Sequence, residues 1–285
     1  MKKWKMLMVA GVLTLGLAGC NTTATPTSET AKDKKSELTL KQVFDKSLAQ
    51  SESIKSLNAE VKMSQSIEVP SQNVEMNTVT NMNMDMFVEP LSIYQKGTTS
   101  TLVPGEDSSV QPQEVEIESY MTDKGFFMHH SVSAQWVKLP EDMYEQMMSM
   151  SQKQADPSQQ LKDLEMFKDD FSFEQTEDMY VLKLSASGDK FNELIKKQVT
   201  ETITAMKLDQ ENMLKDMNIE KVDYEIFIDK KTFNTSAFNM NLEMTVTVEG
   251  EEMKMSQDLK STFDKFNEIE PITVPQEVLD KAQEM

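Results

Sequence analysis

The chain contains no arginine. Its 29 basic residues are all lysines, set against 48 aspartates and glutamates, for a net charge of −19 over 285 residues. Arginine supplies the planar fork that grips phosphate and guanine edges, so an acidic chain without it is a poor nucleic-acid binder. Cysteine occurs once, at Cys20, and histidine twice, at His129 and His130. No disulfide can close within the chain, and a Cys/His zinc site lacks ligands. Aromatic residues make up 7%, few for a cleft that stacks sugars. No nucleophile elbow, phosphate loop, dinucleotide fingerprint or metalloprotease helix occurs. These absences predict no enzyme, no cofactor and no metal.

The one long apolar run lies at the start. Lys2, Lys3 and Lys5 precede Met6 to Leu17, an uncharged stretch of 12 residues. A membrane-crossing helix needs about 20, so residues 1–19 read as an export signal. The run ends Leu17-Ala18-Gly19-Cys20, which resembles a bacterial lipobox. The resemblance implies cleavage before Cys20 and a diacylglyceryl group on its thiol, placing the protein on the extracellular face of the cell membrane. Residues 20–37 carry Thr, Ser, Lys and Ala without a large apolar side chain, the composition of a disordered tether. Residues 38–285 remain for a single domain.

Within that domain the dominant signal is alternation. Leu57, Ala59, Val61 and Met63, with Ile67 and Val69, share one face of a long strand. Val74, Met76, Thr78, Thr80, Met82, Met84, Met86 and Val88 share one face of a second, opposite Glu75, Asn77, Asn81, Asn83 and Asp85. A third strand is predicted over 91–99, a loop over 100–113, and a hairpin from 114–121 and 126–130 about Asp123-Lys124-Gly125. A second hairpin spans 171–175 and 180–186. Three last strands run over 222–228, 238–248 and 253–263. Helices are predicted over 39–53, opened by the Thr39…Gln42 capping box, over 141–153 and 157–169, and over 276–284. A long helix carries the stripe Phe191, Leu194, Ile195, Val199, Ile203 and Met206. Hairpin connections make the sheet antiparallel. With one apolar and one wet face, the helices must cover the apolar one.

This order, with Trp136-Val137-Lys138-Leu139-Pro140, Phe171-Ser172-Phe173, Ile228-Asp229-Lys230-Lys231-Thr232-Phe233 and Ile272-Thr273-Val274-Pro275-Gln276-Glu277-Val278, resembles the LolA/LppX-like superfamily. More narrowly it resembles uncharacterised lipoproteins of Gram-positive bacteria. The resemblance implies an α+β fold. Its large curved antiparallel sheet, a half-open β-barrel of about 10–11 strands, would have helices on its concave face around a hydrophobic cavity.

Methionine is the most abundant apolar signal, at 24 residues. A soft thioether lining suits a flexible apolar ligand. The candidate ligand-binding residues are Met76, Met82, Met84, Met86, Phe238, Met240, Leu242, Met244, Val246, Met253 and Met255. The alternative is that these rows are packed core. Thioether binding of Cu(I) is a third reading, without the clustered Met and His it would need. His129 and His130, adjacent on a strand, face opposite sides. Trp136 either caps the core or lines a cavity mouth. The expected function is a membrane-anchored lipoprotein that binds a lipid or other hydrophobic molecule between sheet and helices. The alternative is a structural or signalling lipoprotein whose filled interior leaves only its surface to meet an envelope protein.

Overall fold

The computed structural model describes residues 25–26, 36–102, 113–154, 158–167, 170–186, 217–248 and 250–284. The export signal, Cys20, most of the tether, the first residue of the helix predicted over 157–169 and the 191–206 stripe lie outside these. The alternating stretches form strands of up to 14 residues, well beyond the usual five or six or so. In chain order they are β1 (Thr25–Pro26), β2 (Ser56–Val69), β3 (Val74–Phe87), β4 (Ser92–Leu102), β5 (Gln113–Thr122), β6 (Gly125–His130), β7 (Trp136–Lys138), β8 (Ser172–Gln175), β9 (Met179–Ala186), β10 (Asn218–Asp229), β11 (Thr235–Val248), β12 (Glu251–Asp264) and β13 (Gln283–Glu284). The helices are α1 (Leu40–Ser51), α2 (Glu141–Gln154), α3 (Gln159–Leu164) and α4 (Gln276–Lys281).

All thirteen strands join one open sheet, ordered β1-β8-β9-β10-β11-β12-β2-β3-β4-β5-β6-β7-β13. Its interior is antiparallel, as hairpins require. The outermost pairs, β1 with β8 and β13 with β7, are parallel. The sheet is therefore mixed and longer than the 10–11 antiparallel strands expected. The two extra edge strands are two residues each, too short to leave an alternation signal. Thr25 and Pro26 also depart from the tether expected over 20–37, because they pair with Glu174 and Gln175. The two halves of the chain meet in mid-sheet, where β12 pairs with β2.

α1 begins as its capping box specifies. The Thr39 hydroxyl accepts from the Gln42 N–H, and the Gln42 side chain accepts from the Thr39 N–H. Leu40, Val43 and Phe44 then enter the main core, with Leu161 and Leu164 of α3 and Phe167 of the following helical turn. They meet Phe173, Leu182, Leu184, Val222, Tyr224 and Ile226 of β8–β10, and Phe238, Leu242 and Met244 of β11. A smaller cluster, Leu91 and Met121, takes Tyr144, Met147 and Met148 of α2.

A wet outer face was expected throughout, and at β5–β7 it is not observed. Phe127, which alternation puts on the face opposite Phe126 and Met128, is buried with Val274 and Val278. The tail leading there is held by small buried serines at strand starts. Ser56 Oγ accepts from the Ile269 N–H at 3.0 Å, and Ser92 Oγ from the Ile272 N–H at 3.2 Å. α4 and β13 replace the helix expected over 276–284. Of the helix expected over 157–169, the described residues form α3 and one 3-10 turn at Glu165–Phe167.

Candidate functional site

Register sorts the eleven candidate residues into three groups. On β11, Phe238, Leu242 and Met244 are buried in the main core, and Met240 and Val246, with Met255 of β12, pack against it. These six are core rather than ligand lining, because α1 and α3 fill the space above β8–β12. Met84 and Met86 pack on the small cluster of Ile54, Leu57 and Ala59. Met76, Met82 and Met253 are half-buried and lie outside the core clusters.

Pairing brings Met76 and Met82 onto one surface with residues that no single-strand pattern connects. In one cross-strand row Val61 pairs with Met82, Met82 with Gly97, and Gly97 with Ile117. The next row is Met63, Thr80, Thr99 and Val115; the next Gln65, Thr78, Thr101 and Gln113; Ile67 and Met76 follow. Among the described residues, no helix shares a core cluster with this half of β2–β5. Its apolar side chains are only partly buried. It is a broad apolar surface crossed by a hydroxyl band, in which Thr80 Oγ1 lies 3.1 Å from Thr99 Oγ1 and Thr78 Oγ1 3.2 Å from Thr101 Oγ1. Sequence reading found the β2 and β3 members by their period of two. It missed Gly97, Thr99, Val115 and Ile117, which only pairing places beside them.

Two depressions open along the sheet. The larger, about 300 Å³, is lined by Val61, Met82 and Gly97 of the apolar surface and by Glu60, Lys62, Asn81, Asn83, Lys96 and Thr98, which alternate with them along the strands. The smaller, about 150 Å³, lies over Glu220, Glu243 and Lys254. Both are shallow and open, unlike the enclosed pocket expected for a drug-sized ligand.

His129 and His130 are separated by the sheet. The His129 ring stands 5.4 Å from the Trp136 ring, in a line continued by Tyr120 at 5.7 Å from Trp136 and Tyr94 at 4.7 Å from Tyr120. His130 Nδ1 instead accepts from the Ser133 N–H at 3.3 Å. Trp136 thus packs with the Val274 and Val278 cluster. Among the described residues no three His, Cys, Asp or Glu side chains converge as metal ligands.

The buried phenols are the strongly perturbed groups. Burial pushes Tyr224 up to about 12, with Asp163 acting in the same direction. Burial also raises Tyr94, helped by its 3.1 Å hydrogen bond to the Glu118 carboxylate. A raised phenol stabilises the fold while protonated. That contribution is complete below the ordinary value near 10 and disappears as pH rises toward 12 or so. Tyr224→Phe should therefore lose less stability than the parent chain across this interval, as read by urea midpoints at stepped alkaline pH. Equal losses in the two proteins would contradict the assignment.

These features define a β-rich protein built on one open, curved sheet with an apolar half that no described helix covers. The chain belongs to the DUF6612 family, described as a family of unknown function, whose signature matches residues 39–283. Among solved structures it is similar to a DUF1329 family protein from Desulfovibrio piger, at 8% identity and a TM-score of 0.28, covering 79% of this chain and 93% of that one. It is also similar to a beta-barrel-like protein of domain of unknown function DUF1849 from Brucella abortus, at 10% identity and a TM-score of 0.20, covering 75% and 100%. No curated protein matches the chain.

Proposed function

We propose that this protein is a non-enzymatic envelope lipoprotein that binds a lipid or other hydrophobic molecule on the half of its sheet that no described helix covers. In this reading residues 1–19 direct export and Cys20 carries the diacylglyceryl anchor. Anchoring puts the domain on the extracellular face of the membrane, beside the pool from which such ligands come. In this reading α1, α2 and α3 sit on the concave side of a half-open barrel, as in the LolA/LppX-like proteins the sequence resembles, while α4 packs with Phe127 on the other face. The observation that carries the reading is the half-buried surface of Met63, Ile67, Met76, Met82, Val115 and Ile117 outside the core clusters of the described residues, bordered by Val61, which packs on the Ile54, Leu57 and Ala59 cluster. Each acyl methylene buried there contributes about 0.8 kcal/mol, so six to eight give about 5–6 kcal/mol before the cost of ordering.

The test is native mass spectrometry and lipid extraction on the full chain, followed by titration with a fluorescent phospholipid or fatty alcohol. Lipid is expected to co-purify. Met82→Glu is expected to weaken capture at least ~tenfold by placing an unpaired charge on the apolar surface, with the far-ultraviolet circular dichroism unchanged. No co-purified lipid and no binding below about 100 μM would end this reading in favour of an envelope protein partner. The anchor is tested separately. Cys20→Ala should abolish fatty-acid labelling and leave uncleaved precursor or released protein, and labelling equal to the parent would refute it.

A further inference from the structure

We infer that the ligand is an uncharged amphiphile, one whose polar group is a hydroxyl, ester or sugar rather than a carboxylate or phosphate. The inference rests on the ligand reading above and concerns the chemistry of the same surface. Its basis is the charge distribution across the sheet. On the face of β2–β5 that carries Met76 and Met82, the strand residues are Leu, Ala, Val, Ile, Met, Thr, Gln, Ser and Gly. No Asp, Glu or Lys occupies any of these positions, although 27% of the chain is charged. Every acid and lysine of these strands lies on the opposite face. There Glu60 and Lys62, Asp85, Lys96, and Glu116 and Glu118 alternate with the apolar residues.

An anionic head group laid on this surface would meet no cation, and an unpaired charge taken out of water is strongly unfavourable. A purely apolar molecule would in turn leave the hydroxyl band dry. Thr78 and Thr101, and Thr80 and Thr99, form two adjacent pairs across β3 and β4. Gln65 continues the Thr78 row on β2. A threonine hydroxyl both donates and accepts, and a glutamine amide does the same. Such a band therefore suits a polar group with both functions and no charge. The apolar rows on either side of it, Val61–Met82–Gly97–Ile117 and Ile67–Met76, leave hydrocarbon contact above and below the band. The ligand would lie across β2–β5 with its polar group over the threonines and its chain over Met82 or Met76.

The experiment uses the full chain and two fluorescent probes of identical acyl length, a monoacylglycerol and the corresponding fatty acid, titrated at pH about 8, where the acid is ionised. The monoacylglycerol is expected to bind at least ~tenfold more tightly. Thr80→Lys, which puts a cation into the band, is expected to reverse the order by pairing the carboxylate. Thr99→Lys serves the same purpose should the first variant not fold. Thr80→Val with Thr99→Val is expected to bring the two affinities together by weakening the monoacylglycerol. Equal affinities in the parent chain, or tighter binding of the fatty acid, would overturn the uncharged-ligand inference while leaving the hydrophobic-ligand reading intact. Binding of neither probe would remove both.

Discussion

Phe44→Ala is expected to lower the unfolding free energy by about 3–5 kcal/mol, the range for emptying a buried aromatic site. Phe44 is 1% exposed and its neighbour Val43 is fully buried. Both project from α1 into the cluster that contains Leu182, Val222 and Ile226. A helix of 12 residues is marginal by itself in water, so α1 persists through this contact rather than through its own propensity. A loss of that size removes a large part of the roughly 5–15 kcal/mol that a native domain possesses. Urea denaturation followed by circular dichroism measures it. Met76→Ala, on the half that no described helix covers, should cost about 1 kcal/mol or less. Were the two substitutions equally mild, α1 would not be docked, and the division into filled and open halves would fail.

Substitution of Gly97 should be nearly as damaging by a different route. A Cβ at this position would stand 2.0 Å from the Asn81 carbonyl oxygen and 2.8 Å from the Met82 Cα. Both are backbone atoms of β3, and neither can swing aside as a side chain would. Adding the atom must push β3 and β4 apart where Met82 pairs with Gly97, stretching the ladder on either side. Gly97→Val is expected to cost about 3 kcal/mol, the upper part of the range for overpacking. Because the Cβ itself makes the clash, Gly97→Ala should cost almost as much. An unstrained glycine behaves oppositely: alanine there stabilises by about 0.4–1 kcal/mol through the unfolded chain. Urea midpoints of the two variants decide the matter, and a stabilised Gly97→Ala would show that the strands do not approach so closely.

The fold was legible where period and burial coincide. Val74 to Met86 and Phe238 to Val248 alternate so regularly that β3 and β11 follow from the residues alone, as does the α1 start at Thr39. Three features escaped. The edge strands β1 and β13 are too short to show a period. The burial of both faces at β5–β7 depends on the tail residues Val274 and Val278 returning to Phe127 from far along the chain, which no local pattern announces. The division of the methionines into core and surface was invisible for a similar reason. Met82 and Met244 have the same alternating surroundings in sequence. What separates them is tertiary: Met244 belongs to the core that α1 and α3 fill, while Met82 lies beside a glycine on β4 outside any core cluster. For the site, the β2 and β3 residues could be read directly. Their partners on β4 and β5 required the register, because Thr99 and Ile117 sit in strands whose own alternation is weaker.

The two ends of the described chain close the two edges of the sheet, β1 on β8 at one side and β13 on β7 at the other. An open sheet offers a row of unpaired N–H and C=O groups at each border, a template for adding strands from other molecules and so for aggregation. Here each border ends in a strand two residues long. One includes Pro26, which has no N–H to donate, and the other includes Glu284, whose charge repels a like edge. A long sheet with much apolar surface is thereby made a poor nucleus for self-association. Deleting β1 or β13 would expose β8 or β7, and with them the borders these strands cover.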